Sequence, residues 1–506
     1  LSVTTMVASS ISREEKLTLG GWTHWPTALP DEVIVAVARA ANIHGGLKPL
    51  KQAADVERVA RRLVERMEPY LLDATVQRAG GERLLYLARH HAAAVASAGG
   101  ARALVAGMRA HRGDKAVQLC GCRLAGMRAC ADAVVEAGGE EAVLSAMMDF
   151  TDAELQSAAF VALGVLTRRS LELAPRQVEK STVDLFLARM DSHLTCADLQ
   201  ADGCKTLGLW ASSSALSQGE VVSCLHAVID AMRSHLSSVA VQLAGSQALC
   251  SLIERDESCK QEIVDRGGAE LLSSAVELHG ANLQLCPWIC TTVKLTASGK
   301  ESQRKLVLIE AGFVEGLVEA MQTHAGHVPI QREACTCLRV LASGNSNCKH
   351  GLSRAGAIPV LLAALQVPPV DVAIHRESCE TLRHITSVAP LKALESGAVA
   401  MIVMSMRSHP EDEAIQFDGR KALSNISQGD PFKCRRAIVA AGGPLVVVPP
   451  YEYDFITADS RARWDVLKKR PDGVPTFSTK DIGSYMTYNS VETEGRGFAQ
   501  RQVLGS

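Results

Sequence analysis

The chain has 506 residues, 53 basic against 55 acidic side chains, and only 4% aromatics. Balanced charge supplies no field to draw in a nucleic-acid backbone or an anionic membrane. A composition led by alanine, leucine, valine and glycine suits short close-packed helices rather than a β-sandwich. The fifteen cysteines form no C-x-x-C pair, so neither a zinc framework nor a disulfide scaffold is indicated. No apolar run reaches the ~18 residues of a membrane span.

Residues 1–30 read as an extended segment, in which "LGGWTHWPTALP" sets Trp22 and Trp25 among prolines and glycines as candidate partner-binding anchors. The chain opens on Leu1 rather than methionine, which leaves room for a removed organellar presequence. Residues 31–72 read as a helical cap ("DEVIVAVARAANIH", then "DVERVARRLVERMEPYLL"), because a terminal repeat otherwise exposes its apolar face.

From residue 73 to 445 the chain counts. The tetrads "MRAH" (Met108 to His111), "MDSH" (Met190 to His193), "MRSH" (Met232 to His235), "MQTH" (Met321 to His324) and "MRSH" (Met406 to His409) invite a reading as soft metal ligands. However, His193, His235, His279 and His324 are 42, 44 and 45 residues apart, the signature of one repeated supersecondary unit. Equivalent positions on stacked helices lie ~8–10 Å apart, too far to converge on one ion at ~2 Å. No metal and no cofactor is therefore expected.

A glutamine anchors each unit: Gln77, Gln118, Gln156, Gln200, Gln242, Gln284, Gln331, His375 in its place, and Gln416. Three residues on stand small side chains, among them Gly80, Gly121, Gly203, Gly245 and Gly419, read as close approach of helix backbones. Seven on come Leu163, Leu207, Leu249, Leu338, Leu382 and Leu423. Ten on come Leu166, Trp210, Leu252, Leu341, Ile385 and Ile426. Offsets of three, seven and ten share one helical face. The Gln284 unit breaks the pattern, with Pro287, Thr291 and Lys294 in those columns, and a kink or a register shift is expected there. Between these helices, Gly138, Gly267, Gly312, Gly356, Gly397 and Gly442 end short apolar runs, where glycine takes the left-handed terminating conformation. Cys122, Cys204, Cys335 and Cys379 share one column and read as buried free thiols of a reducing compartment.

The unit of short helix, glycine turn, medium helix, loop and long helix resembles the armadillo repeat, over roughly residues 70 to 445. Its best single piece is "IQFDGRKALSNIS" (Ile415 to Ser427), similar to the family's third helix. The resemblance implies an all-α fold: a right-handed solenoid of about nine repeats with third helices lining a concave groove. Nuclear-import members of the family read basic peptides with ladders of tryptophan and asparagine. Here the asparagine column, nine residues after the anchor, holds Tyr86, Met127, Val165, Leu209, Ser251, Val293, Val340, His384 and Asn425. The tryptophan column, five after it, holds no tryptophan, so an import receptor is not indicated. Met127, Val165, Leu209, Val293, Val340, His384 and Asn425 are the candidate groove residues. Two readings stay open for the apolar ones: core, or a groove covered by an apolar segment.

Periodicity ends near Pro444, and residues 446–506 read as an extended tail with Tyr451, Tyr453, Phe455, Trp464, Tyr485 and Tyr488 as anchors. No phosphate loop, nucleophile elbow, H-E-x-x-H helix or dinucleotide fingerprint occurs. The expectation is a non-catalytic scaffold that binds other protein subunits of a large assembly, in the cytoplasm, with cytoskeletal or axonemal hosts favoured. A mitochondrial complex is the organellar alternative, and a peptide-capturing adaptor of transport or signalling type the functional one. No nucleic acid, small-molecule substrate or transmembrane segment is expected.

Overall fold

A computed structural model describes residues 53–173, 177–368 and 370–443. Trp22, Trp25 and the tail aromatics Tyr451, Tyr453, Phe455, Trp464, Tyr485 and Tyr488 lie outside the described residues. Among those described, every regular element is helical, and no helix is long and apolar enough to cross a membrane. The chain divides after His279 into two compact units.

In the first unit the long third helices are Ala74–Ser97, Lys115–Ala125, Ala153–Leu173, Ala197–Ser212 and Val239–Arg255. Second helices (Ala53–Met67, Gly100–Ala110, Gly139–Asp149, Lys180–Ser192, Gln218–Ser234) precede them, and Gly268–His279 is the unit's last. In the second unit the third helices are Cys286–Ala297, Val328–Ala342, Val372–Thr386 and Glu413–Gly429. Phe313–Thr323, Ala357–Ala364 and Ala398–Ser408 are its second helices. The six turn glycines predicted from sequence have φ between +70° and +89°, a conformation that costs a residue with a Cβ about 1–2 kcal/mol.

The anchor glutamines close the second helices. A helix ends with carbonyls that have no intrahelical partner. Gln118 Nε2 donates to the Met108 carbonyl at 2.7 Å and to the His111 carbonyl at 2.9 Å. Gln200 does the same to Met190 and His193, Gln242 to Met232 and His235, Gln331 to Met321 and His324, and Gln416 to Met406 and His409, all at 2.7–3.0 Å. Gln77 makes the same pair with Met67 and Tyr70, so helix Ala53–Met67, inside the segment read as a cap, already takes the place of a second helix.

The small column has a different cause from the backbone approach expected of it. A Cβ on Gly80, Gly121, Gly203, Gly245 or Gly419 would fall within 2.1–2.8 Å of the methionine sulfur thirteen residues earlier, Met67, Met108, Met190, Met232 or Met406. The glycine is thus a socket for the tetrad's methionine. The histidine stitches backward: His111, His235 and His279 Nε2 donate to the carbonyls of Leu71, Leu194 and Leu236 at 2.6–2.7 Å. The arginine of "MRAH" and of the last "MRSH" stitches forward, Arg109 to the Gly138 carbonyl and Arg407 to that of Ala441. The tetrad methionines thus close the repeats, and His111 and His235 join neighbouring ones, while Nε2 of His193, His324 and His409 is buried without a hydrogen-bond partner.

The leucine column seven residues after the anchor is fully buried. In the first unit it is joined by Phe160, Phe186 and Trp210, whose rings lie 3.9 and 4.8 Å apart in sequence. Fourteen of the fifteen cysteines are buried, with Cys196 half-buried. Burial pushes the Cys122, Cys204, Cys335 and Cys379 thiols up to about 12, so these side chains act as small apolar fillers.

The irregular unit resolves as a register shift. Gln284 is exposed, and the third helix starts at Cys286, with Pro287 in its first turn, where no amide donor is missed. Counted from Cys286, Val293 enters the core column, and it is fully buried. The assignment of Val293 to a groove is therefore corrected: a shift of two residues turns it inward.

At the anchor where histidine stands for glutamine, His375 bonds the Leu365 carbonyl, and its Nδ1 pairs with the Ser405 hydroxyl at 2.9 Å. Burial first, then His409 with its ring centroid at 4.7 Å, holds the His375 pKa below the ordinary imidazole value; Asp371 and the Leu365 carbonyl pull the other way. Cys379 Sγ completes the cluster at 3.4 Å from Ser405 Oγ. The unfolded chain then binds a proton that the folded chain refuses. The stability due to this site is full above about pH 6.5 and is lost as pH falls through the lowered folded value. His375→Gln removes that loss. Urea midpoints at about pH 7.5 and 5.5 should fall less steeply for the variant than for the parent; equal slopes would rule out this origin.

Candidate partner-binding face

The third helices carry the columns proposed as a groove. Val165 and Leu209 in the first unit, and Val340, His384 and Asn425 in the second, are half-buried, while Tyr86 is 51% exposed. Met127 is also half-buried, in the extended step that follows helix Lys115–Ala125. Asn425, the one match to an asparagine ladder, is engaged: its Nδ2 donates to the Arg383 carbonyl at 3.0 Å and lies 3.2 Å from Thr386 Oγ1.

Adjoining third helices meet along seams of two kinds. In the second unit, a cation eight residues after one anchor meets a carboxylate two residues after the next. Lys294 Nζ lies 3.0 Å from Glu333, Arg339 pairs with Glu377, and Arg383 pairs with Asp418. Glu380 joins the ladder between Arg339 and Arg383, within 3.6–3.8 Å of Arg339, Arg383 and His384. The His384 hydrogen bond, then Arg339 and Arg383, holds the Glu380 carboxyl below its usual range. Burial outweighs Arg383 at Asp418, whose pKa is raised.

In the first unit the eight-on column holds Gly126, Gly164 and Gly208. There the helices close on one another: a Cβ on Gly208 would lie 3.2 Å from the Ala248 Cα, and one on Gly164 3.3 Å from Leu209 Cδ1. Where Gly126 faces Val161 a cleft of about 420 Å³ opens, lined by Arg123, Glu154, Ser157, Val161, Asp198 and Asp202 among others. Sequence reasoning singled out none of these carboxylates. The signal was present in the columns two and eight residues after each anchor, but the Gln284 register hid the ladder by two residues.

With the geometry in place, comparison with known proteins adds the following. No family model and no curated protein sequence matches the chain. Among solved structures, an engineered protein from a structural genomics consortium is similar at 24% identity and TM-score 0.59, covering 81% of this chain and 98% of its own. Both units have the armadillo-type repeat fold. A designed armadillo repeat protein in complex with peptide (KR)4 is similar at 20% identity and TM-score 0.40 over 48% of this chain and 99% of its own. Another designed armadillo repeat protein is similar at 19% identity and TM-score 0.39, over 47% and 99%.

Proposed function

We propose that this protein is a non-catalytic scaffold that binds other proteins along its third-helix face, with residues 1–30 and 446–506 as further docking segments. A large cytoplasmic assembly, cytoskeletal or axonemal, is the favoured host. One observation carries this reading. The tetrad methionines of the second helices are packed into the glycine sockets within each repeat, whereas Val165, Leu209 and Val340 on the third helices keep part of their apolar surface in water. A partner covering them gains about 25 cal/mol per Å² of that surface.

The experiment is a photo-cross-linker placed singly at Leu209, at Val340 and, on a second helix, at Leu278, which is 58% exposed. In native extract, adducts of the same few proteins are expected at Leu209 and Val340 and not at Leu278. Adducts at Leu278 alone would overturn the assignment of the face. The cleft beside Asp202 favours a second reading, a reversible adaptor for an extended peptide. That adaptor would retain its partner when residues 446–506 are deleted, whereas a docked assembly subunit would be released.

A further inference from the structure

The cleft has a cause in the seam columns. In the columns where the second unit has a cation and a carboxylate, the first has Gly126 with Ala158 and Gly164 with Asp202, although the side chains that a Cβ would meet are Val161 at Gly126 and Thr206 at Gly164. The first substitution leaves a hole. The second leaves a ladder carboxylate without its ladder cation. Asp202 Oδ2 accepts from the Ser157 hydroxyl at 2.6 Å, and Oδ1 takes a substitute, Lys205 of its own helix, at 2.9 Å. The Lys205 side chain is 56% exposed against 20% for Asp202, so this pair is readily exchanged. Glu154 and Asp198 also line the cleft, opposed by Arg123, which pairs with Glu154.

We infer that this cleft seats a guanidinium or ammonium side chain carried by an extended segment of a protein partner, which supplies the rung that Gly164 omits. The carrier's being a protein rests on the scaffold reading; the charge preference rests on the cleft alone. An anion would meet three carboxylates. A metal ion has no footing, since among the described residues no three His, Cys, Asp or Glu side chains come together to hold one. The floor of Gly126, Ala153, Ala158 and Val161 accepts the aliphatic stem of such a side chain.

Cys196 lines the same cleft and is half-buried, while every other cysteine is buried, so it reports on the site directly. The full-length protein is equilibrated with cystamine, with hydroxyethyl disulfide or with dithiodipropionate, each with the same thiol buffer, and the capped fraction of Cys196 is read by peptide mass spectrometry. The cationic cap should exceed the neutral one by about threefold, and the anionic cap should fall below both. Asp202→Asn keeps the Ser157 hydrogen bond and should remove most of that preference. Should that variant not fold, Asp198→Asn, on the exposed first turn, serves in its place. Equal capping by the cationic and neutral probes, or a preference unchanged in the variant, overturns the proposal. The cross-linking pattern at Leu209 and Val340 is independent of either outcome.

Discussion

Replacing Gln242 with leucine is expected to destabilise the protein by about 1 kcal/mol. Gln242 is fully buried, and its amide is the partner of two carbonyls, Met232 at 2.7 Å and His235 at 3.0 Å. Leucine takes the amide from both, but each keeps a backbone donor, the His235 N–H on the Met232 carbonyl at 3.3 Å and the Ser238 N–H on the His235 carbonyl at 3.0 Å, so the loss is that of two hydrogen bonds at about 0.5–1.5 kcal/mol each. Part of this is offset, because the Gln242 Oε1 has no hydrogen-bond partner in the folded chain and leucine removes that buried acceptor, recovering about 1 kcal/mol. Urea denaturation measures the net effect. A loss within a few tenths of a kcal/mol would mean that water reaches the end of the second helix and that the glutamine is not its closure.

Gly245→Ala is expected to destabilise by about 1–2 kcal/mol, against the usual direction for a helix interior, where alanine gains about 1 kcal/mol over glycine. The added Cβ would lie 2.3 Å from Met232 Cγ and 2.5 Å from its Sδ, and Met232 is fully buried. Overpacking of this kind costs about 1–3 kcal/mol. The cause is tested by the cycle. Met232→Ala alone leaves a cavity and costs about 2–5 kcal/mol. In the double variant the alanine at 245 should cost nothing further, or should recover its helix propensity. A coupling of at least about 1 kcal/mol is the expected result. Additive effects would return the small column to backbone approach.

The fold was legible because its determinants are local and periodic. Glycine at a positive φ has few substitutes, so Gly138 through Gly442 marked their turns on residue type alone. The leucine column was legible for the same reason: a buried position at fixed spacing tolerates few residues. The role of the glutamine was not legible, because sequence shows that Gln242 follows Met232 by ten residues but not that a helix ends between them with two carbonyls exposed. The role of the histidines was hidden for a related reason. Their spacing set aside a role as ligands, but only the carbonyls of Leu71, Leu194 and Leu236 reveal what His111, His235 and His279 meet.

The candidate face was less legible, since its residues depend on register. Val293 and Val340 occupy the same column when counted from Gln284 and Gln331, yet one is core and the other half-exposed. Pro287 and the exposed Gln284 were the warning. Once Cys286 is taken as the anchor, Lys294 falls into line with Arg339 and Arg383, and the ion ladder of the second unit appears as a rule. Its omission at Gly126 goes with the open cleft, whereas at Gly164 the helices close on one another and Asp202 is left to Ser157 and Lys205.

One device, the methionine socket with its glutamine clasp, closes the repeats at Met67, Met108, Met190, Met232 and Met406. Its most direct test is methyl NMR of protein labelled at the methionine methyls and the glycine α positions. The prediction is a cross-peak from Met67, Met108, Met190, Met232 and Met406 to Gly80, Gly121, Gly203, Gly245 and Gly419 respectively. Narrow methionine signals at solvent-exposed shifts, with no contact to those glycines, would contradict it.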